Sequence, residues 1–313
     1  MTTRHIEVTF KPKNSQEFTI NPVLRAFDQP QIYVKFQVEK QVSSEPNRAY
    51  LELYNLSDEH SGAIDFKFDP YANNFGPQVT IKGGFLETGV KQMYSGVVVQ
   101  ALTTFEAPNY ITRVDCSNIY YELMRRPVEY QVAAGASKAD AILTIIKQAG
   151  GLIESGQETS IRDILGSAKF EEPEIIQGTL DEILTRFSKG LPRRIIVYWD
   201  DAGVSFDPLG LPTKGRETKI VSELTGLIGT PKVNTSGVDY SVNLDSTYRI
   251  NDPVKVKSNV TDRLRIASGG ASGVSRSDIT VVSKIIHTGD NRDGDFKSDI
   301  STLFIDLLQQ VVG

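Results

Sequence analysis

At 313 residues the chain is long enough for two or three domains, each with its own core. Its 39% hydrophobic and 23% charged residues describe a soluble globular protein, and no apolar run reaches the length of a membrane span, so this chain is not expected to insert into a membrane. A net charge of −5 argues against a dedicated nucleic-acid binder, whose phosphate contacts need clustered lysine and arginine.

Residues 1–13 (MTTRHIEVTFKPK) have no apolar core and no small-residue cleavage site, so no secretory signal is expected. Ile32, Val34, Phe36 and Val38 alternate with Tyr33, Lys35, Gln37 and Glu39, the period of a half-buried strand. The cluster SSEPN at 43–47 reads as a turn, and residues 48–54 return as the antiparallel partner. Ser57 is a fair N-cap for a short helix, with Asp58 and Glu59 placed to favour the helix dipole. Strands follow at 78–82, 92–102 and 110–117, punctuated by Gly83-Gly84 and Ser95-Gly96. Several short strands at this spacing predict a small barrel or sandwich. Cys116, the only cysteine, excludes an intramolecular disulfide framework and fits a reducing compartment. Its place in an alternating strand makes it a buried small hydrophobe.

Composition changes after Cys116. A helical stretch at 119–125 is ended by Pro127. Ser137 to Asp140 resembles a capping box and opens a helix whose stripe is Ile142, Ile145, Ile146 and Ala149, closed by Gly150-Gly151. Thr179 to Glu182 is a full capping box. It opens a second helix with Leu180, Ile183, Leu184 and Phe187 on one face and stops at Gly190 and Pro192. Between them, residues 155–173 read as loop. Residues 194–199 (RIIVYW) and 204–206 flank Asp200-Asp201-Ala202-Gly203, a hairpin. Residues 208–215 (PLGLPTKG) read as a linker or domain edge. The last third is β-rich again, with strands at 240–244, 252–258 and 278–288, a Gly/Ser-rich loop at 265–277, and a terminal strand followed by helix at 300–312.

Little in the chain carries chemistry. His5, His60 and His287 have no metal-ligand spacing to one another or to Cys116, so no metal site is expected. Asp290 to Asp295 superficially follows a calcium loop, but Arg292 and Gly294 occupy ligand positions, and an acidic hairpin loop accounts for it. The glycines at 269–273 lack the Lys-Ser/Thr of a phosphate loop, and no G-x-S-x-G elbow occurs. The pairs Glu171-Glu172 and Asp200-Asp201 sit in turn contexts, where solvation explains them. Tyr120-Tyr121 and Tyr198-Trp199 fit core or subunit interface better than a sugar platform. No catalytic, cofactor-binding or metal-binding residue is therefore assigned, and no enzyme activity is expected.

The order of these motifs resembles the baseplate hub proteins of tailed bacteriophages and related contractile injection devices. It is carried by residues 53–57 (LYNLS), 79–85 (VTIKGGF), Ser95-Gly96-Val97, the capped helices at 137–150 and 179–190, and the hairpin at 195–206. Residues 226–231 (GLIGTP), Gly237-Val238 and 285–290 (IIHTGD) complete it. The resemblance implies a mainly β fold with an α-rich insertion (α+β): two tail-tube-like β-barrel or sandwich domains, at 1–118 and 213–313, flanking an inserted α/β domain with a β-hairpin at 119–212. It further implies a structural virion protein of the tail baseplate, assembled in the host bacterial cytoplasm. Three copies would form a ring, a symmetry adaptor joining the six-fold tail tube to the three-fold central spike and lining the DNA channel for genome ejection. Its partners would be its own copies (a homotrimer), the tail tube protein, the spike protein, the tape measure protein and other baseplate proteins, with DNA only in passage. No lysozyme-like or spike segment is fused here, so wall cleavage would fall to partners. A net-negative channel wall would let DNA slide. The alternative is a β-sandwich module that binds carbohydrate or a host receptor, motivated by the aromatic pairs.

Overall fold

The computed structural model describes residues 3–22, 31–42, 46–67, 76–118, 124–153, 157–189, 195–200, 203–208, 210–213, 215–257 and 279–305. The first part of the chain forms β1 (Arg4–Lys11), β2 (Phe18–Ile20), β3 (Val34–Gln41), β4 (Arg48–Tyr54), helix α1 (Asp58–Ile64), β5 (Phe66–Lys67), β6 (Gln78–Phe85), β7 (Gly89–Glu106) and β8 (Asn109–Asn118). The alternation in β3 and β4 works as expected: Val34, Phe36, Val38, Leu51 and Leu53 are buried while Lys35, Gln37 and Glu52 point the other way. Ser57 caps α1 by accepting a hydrogen bond from the His60 N–H. Strands β1 and β2 were not anticipated; β1 pairs with β6 and β2 along its two edges.

Strand β7 is the hinge of this part. Its first half pairs with β6 and its second half with β8, the two overlapping at Gly96 and Val97. Gly96 stands at the corner, where a Cβ would overlap the Ser117 carbonyl and the Tyr94 ring. Only glycine lets the strand fold over there. The turn lays β6, β1 and β2 across the apolar face of β3, β4 and β8. Ile6, Val8, Phe10, Val79 and Ile81 pack there with Phe36, Leu51, Leu53, Val114 and Cys116.

A second group of buried side chains belongs to residues 124–206. It contains the ribbon β9 (Pro127–Val132) with β10 (Glu174–Thr179), helices α2 (Lys138–Gln148), α3 (Gln157–Leu165) and α4 (Leu180–Lys189), and the hairpin β11 (Ile195–Asp200) with β12 (Gly203–Pro208). Both expected caps are made. Ser137 accepts from the Asp140 N–H. Thr179 and Glu182 bond reciprocally, Glu182 Oε2 accepting from the Thr179 N–H at 2.8 Å. Two expectations are corrected. Pro127 opens a strand instead of merely ending a helix, and residues 155–173 include α3. That helix has no capping box and few apolar residues. It is held by burial of Ile161 and Leu165, and its exposed Lys147–Glu158 and Arg162–Asp140 ion pairs to α2 add little. The helix expected at 119–125 lies mostly outside the described residues, as do Tyr120 and Tyr121, the loop at 265–277 and everything after residue 305.

The last part forms β13 (Lys219–Val221), β14 (Leu227–Val233), β15 (Val238–Asn243), β16 (Pro253–Val256), β17 (Thr280–Asp290) and β18 (Phe296–Phe304). The acidic loop at 290–295 is the tip of the β17–β18 hairpin, and β17 runs two residues further than expected. The two β-rich ends of the chain meet directly. Strand β17 pairs with β3 over seven residues, so both ends share one sheet. Gly289 faces Phe36 at this seam, and a Cβ there would overlap the Phe36 ring.

Candidate functional site

Within the sheet, eight strands follow one another in the order β14-β15-β18-β17-β3-β4-β8-β7, every adjacent pair antiparallel. Residues opposite each other across an antiparallel pair project to the same side. The registers therefore define two faces that run across the whole array. One face is apolar, through Val242, Tyr240, Ile300, Ile285, Val38, Leu51 and Val114. The other is polar, and its charges follow from the same registers. Its cations are Lys232, Lys297, Lys284, Lys35, Arg48 and Arg113. Its carboxylates are Asp239, Asp299, Glu39, Glu52, Asp115 and Glu106. Asp290, opposite Lys35, is a seventh carboxylate on this face, so six cations stand against seven carboxylates and the face is close to balanced.

The charges are paired across strands. Lys284 of β17 bridges Glu39 of β3, and Lys35 approaches Glu52 at 4.0 Å. Arg113 reaches Glu52 at 3.4 Å and Glu106 at 2.7 Å, while Lys297 lies 3.4 Å from Asp299 on its own strand. Arg48 stands opposite Glu39, and Lys232 opposite Asp239. At the β14 end, Ile228, Lys232, Ser241, Lys284, Ile286 and Asp299 line a shallow groove of about 190 Å³.

Within this eight-strand array two stretches of outer edge lack a partner strand among the described residues: β14, and residues 102–106 of β7, where β5 reaches only Gln100 and Ala101. Each carries an exposed apolar residue on the polar face, Ile228 at 43% and Leu102 at 55% exposure. Eight alternating strands leave these two edges running in opposite directions.

Behind the apolar face the hairpin β11–β12 is fastened by buried polar contacts. Lys40 continues the inward phase of β3 and donates to Asp200 at 3.1 Å, both side chains under 10% exposed. Asn47 donates to the Trp199 carbonyl at 2.9 Å. Asp207 accepts from Tyr198 at 2.9 Å, Thr213 at 3.1 Å and Asn251 at 3.3 Å, joining the hairpin to the last part of the chain. His287 sits beside this network, its Nδ1 2.8 Å from Ser298 Oγ. Burial first, and then the Lys40 charge, push it down to about 3 against the pull of Asp200, so the imidazole is neutral.

The residues weighed from the sequence are dispersed. His5 lies between the Asn21 carbonyl and Gln31, His60 stacks on Phe18 at 4.2 Å, and His287 is on β17. Cys116 is buried on the apolar face, where desolvation pushes its thiol up. Asp290 is held by Tyr33 at 2.6 Å and by the N–H groups of Arg292 and Asp293. These bonds outweigh its burial and lower its pKa. Glu171 and Glu172 are exposed. Asp200 corrects the solvated-turn expectation, since it is buried against Lys40; Asp201 lies outside the described residues. Tyr198 and Trp199 are each 1% exposed, so they offer no sugar platform. Lys40 was not singled out, although a lysine in phase with the apolar residues of β3 is itself a signal of a buried partner. Among the described residues no group of three metal-ligating side chains occurs, and no helix is long and apolar enough to cross a membrane.

No curated protein sequence matches the chain. Solved structures with the same fold include the 43 kDa tail protein of prophage MuSo2 from Shewanella oneidensis, with TM-score 0.56 and 12% identity over 96% of this chain and 98% of that one. The tail protein from Neisseria meningitidis MC58 gives 0.53 and 7% over 95% and 96%. The E. coli c3393 protein, a type VI secretion component described as structurally similar to tail proteins of bacteriophage T4, gives 0.50 and 10% over 95% and 77%. The profile of the family described as "Baseplate hub gp41" matches residues 6–265. With that match over most of its length, and a mainly β architecture built on one large sheet, the chain belongs to the baseplate hub gp41 family, structural proteins of the phage tail.

Proposed function

We propose that three copies of this chain close into a ring that joins the six-fold tail tube to the three-fold central spike, with the polar face of the sheet as the wall of the DNA channel. The observation that carries this reading is the eight-strand array with two unpartnered edges of opposite direction. Residues 1–118 supply β3, β4, β8 and β7, and residues 213–313 supply β17, β18, β15 and β14, as two tube-like domains of four wall strands each. Three chains then present six similar units, the match a six-fold tube needs. Strand β14 of one copy meets residues 102–106 of β7 in the next in antiparallel sense, which removes both edges and brings Ile228 against Leu102. Residues 119–212 stand behind this wall as the inserted domain. The partners are the tube, spike, tape measure and other baseplate proteins, assembled in the host cytoplasm. No observation favours the carbohydrate-binding alternative.

Mass in solution, alone and with tube and spike proteins, followed by particle imaging, tests the ring. Trimers are expected, and Leu102→Glu should abolish them while leaving thermal unfolding unchanged. A chain that stays monomeric with its partners present overturns the proposal.

A further inference from the structure

The polar face is dense in charge, and its six cations are placed with unusual regularity among seven carboxylates. Each of the six stands in an ion pair with a carboxylate or directly opposite one. The chain as a whole is acidic, with 39 carboxylates to 34 lysines and arginines, but composition does not require every cation of one face to have a carboxylate neighbour. Stability does not explain it, because exposed ion pairs stabilise a fold little. Uncharged Gln37, Gln100 and Thr288 occupy neighbouring positions on the same face without disturbing the ladder.

We propose that the carboxylates of this face, Glu39, Glu52 and Glu106 foremost, mask its lysines and arginines, so that the wall offers no free cation to DNA passing along it. The inference rests on the reading of this face as the channel wall and extends it to how DNA avoids sticking there. A phosphate backbone binds by displacing counterions with free lysine or arginine, and an arginine already held by two carboxylates offers little to displace them with. Arg113 is in that state, between Glu52 and Glu106. A wall made acidic throughout would set like charges opposite one another across the strands, which destabilises a sheet. Alternating signs keep the wall hydrated and set a carboxylate beside each cation.

The test is binding of a short fluorescein-labelled DNA duplex by the full chain, followed by anisotropy across a salt series. The wild-type chain is expected to show no binding at physiological salt. The variant Glu39→Gln/Glu52→Gln/Glu106→Gln should gain roughly tenfold or more in affinity at low salt, with a log K against log salt slope steeper by about 0.9 per freed cation. A charge-matched control, Glu129→Gln/Glu171→Gln/Glu174→Gln, removes three exposed carboxylates outside this face and should gain nothing. Glu52→Gln alone, which frees Lys35 and leaves Arg113 with Glu106 only, gives the same readout on a smaller scale should the triple variant fold poorly. Wild-type binding as tight as the variant, no gain in either face variant, or an equal gain in the control would each overturn the proposal. Mass measured on the same samples separates the two ideas: gain without a ring breaks the ring and keeps the masking, and a ring without gain does the reverse.

Discussion

The two ends of the chain build like halves of one sheet but back them differently. In the first half β7 folds over at Gly96, and β6, β1 and β2 cover the apolar face of β3, β4 and β8 with the chain's own local material. In the second half β15, β18 and β17 are backed by β13, β16, Tyr248 and Ile250, and by Tyr198 of the hairpin from the middle of the chain. The first half is closed by a corner, the second by a borrowed element. A half that borrows its backing depends on buried polar contacts across long sequence separations, whose loss leaves a charge stranded. A half that folds over itself depends on sterics at one residue.

The difference can be broken from the borrowed side first. Lys40→Ala leaves Asp200 buried without its 3.1 Å partner and should cost about 3–5 kcal/mol in denaturant unfolding. The pair Lys40→Met with Asp200→Leu should recover most of that loss. A loss below about 1 kcal/mol for Lys40→Ala would show that the hairpin is not fastened there. On the self-closed side, Gly96→Val forces a side chain into the Ser117 carbonyl and the Tyr94 ring and should cost about 3 kcal/mol. It should leave the Lys40–Asp200 variants' effects additive, since the two sites share no partner.

The smallest expected effect is one of pH. His287 is depressed to about 3 in the fold, against about 6.5 in the unfolded chain. The unfolded chain therefore binds more protons between these values. Stability is full above about 6.5 and falls as pH drops from there towards 3, by about 2 kcal/mol at pH 5. His287→Gln should flatten that part of the pH–stability curve; an unchanged curve would assign the acid sensitivity to other groups.

Much of the fold was legible because it is written locally. The alternation of β3 and β4, the Ser57 cap and the reciprocal Thr179–Glu182 box each depend on residues a few positions apart. Helix α3 was not legible, because its stability comes from packing on α2 and not from its own caps or stripe. Nor were β1 and β2, whose role appears only when β6 lies beside them. The site was legible only in kind. The sequence pointed to a scaffold, and its charges could be counted, but which of them share one face of the sheet depends on registers that no local pattern carries.

By itself, then, the sequence determined the local elements and the ordered motifs that mark a baseplate hub, since periodicity, caps and turns act over a few residues. The β3–β17 seam joins residues about 250 positions apart, and nothing local specifies it. The burial of Lys40 against Asp200 and the pairing of Lys284 with Glu39 follow from that seam. Tertiary structure alone decided which charges face one another, because Coulomb energy depends on distance in space and not along the chain.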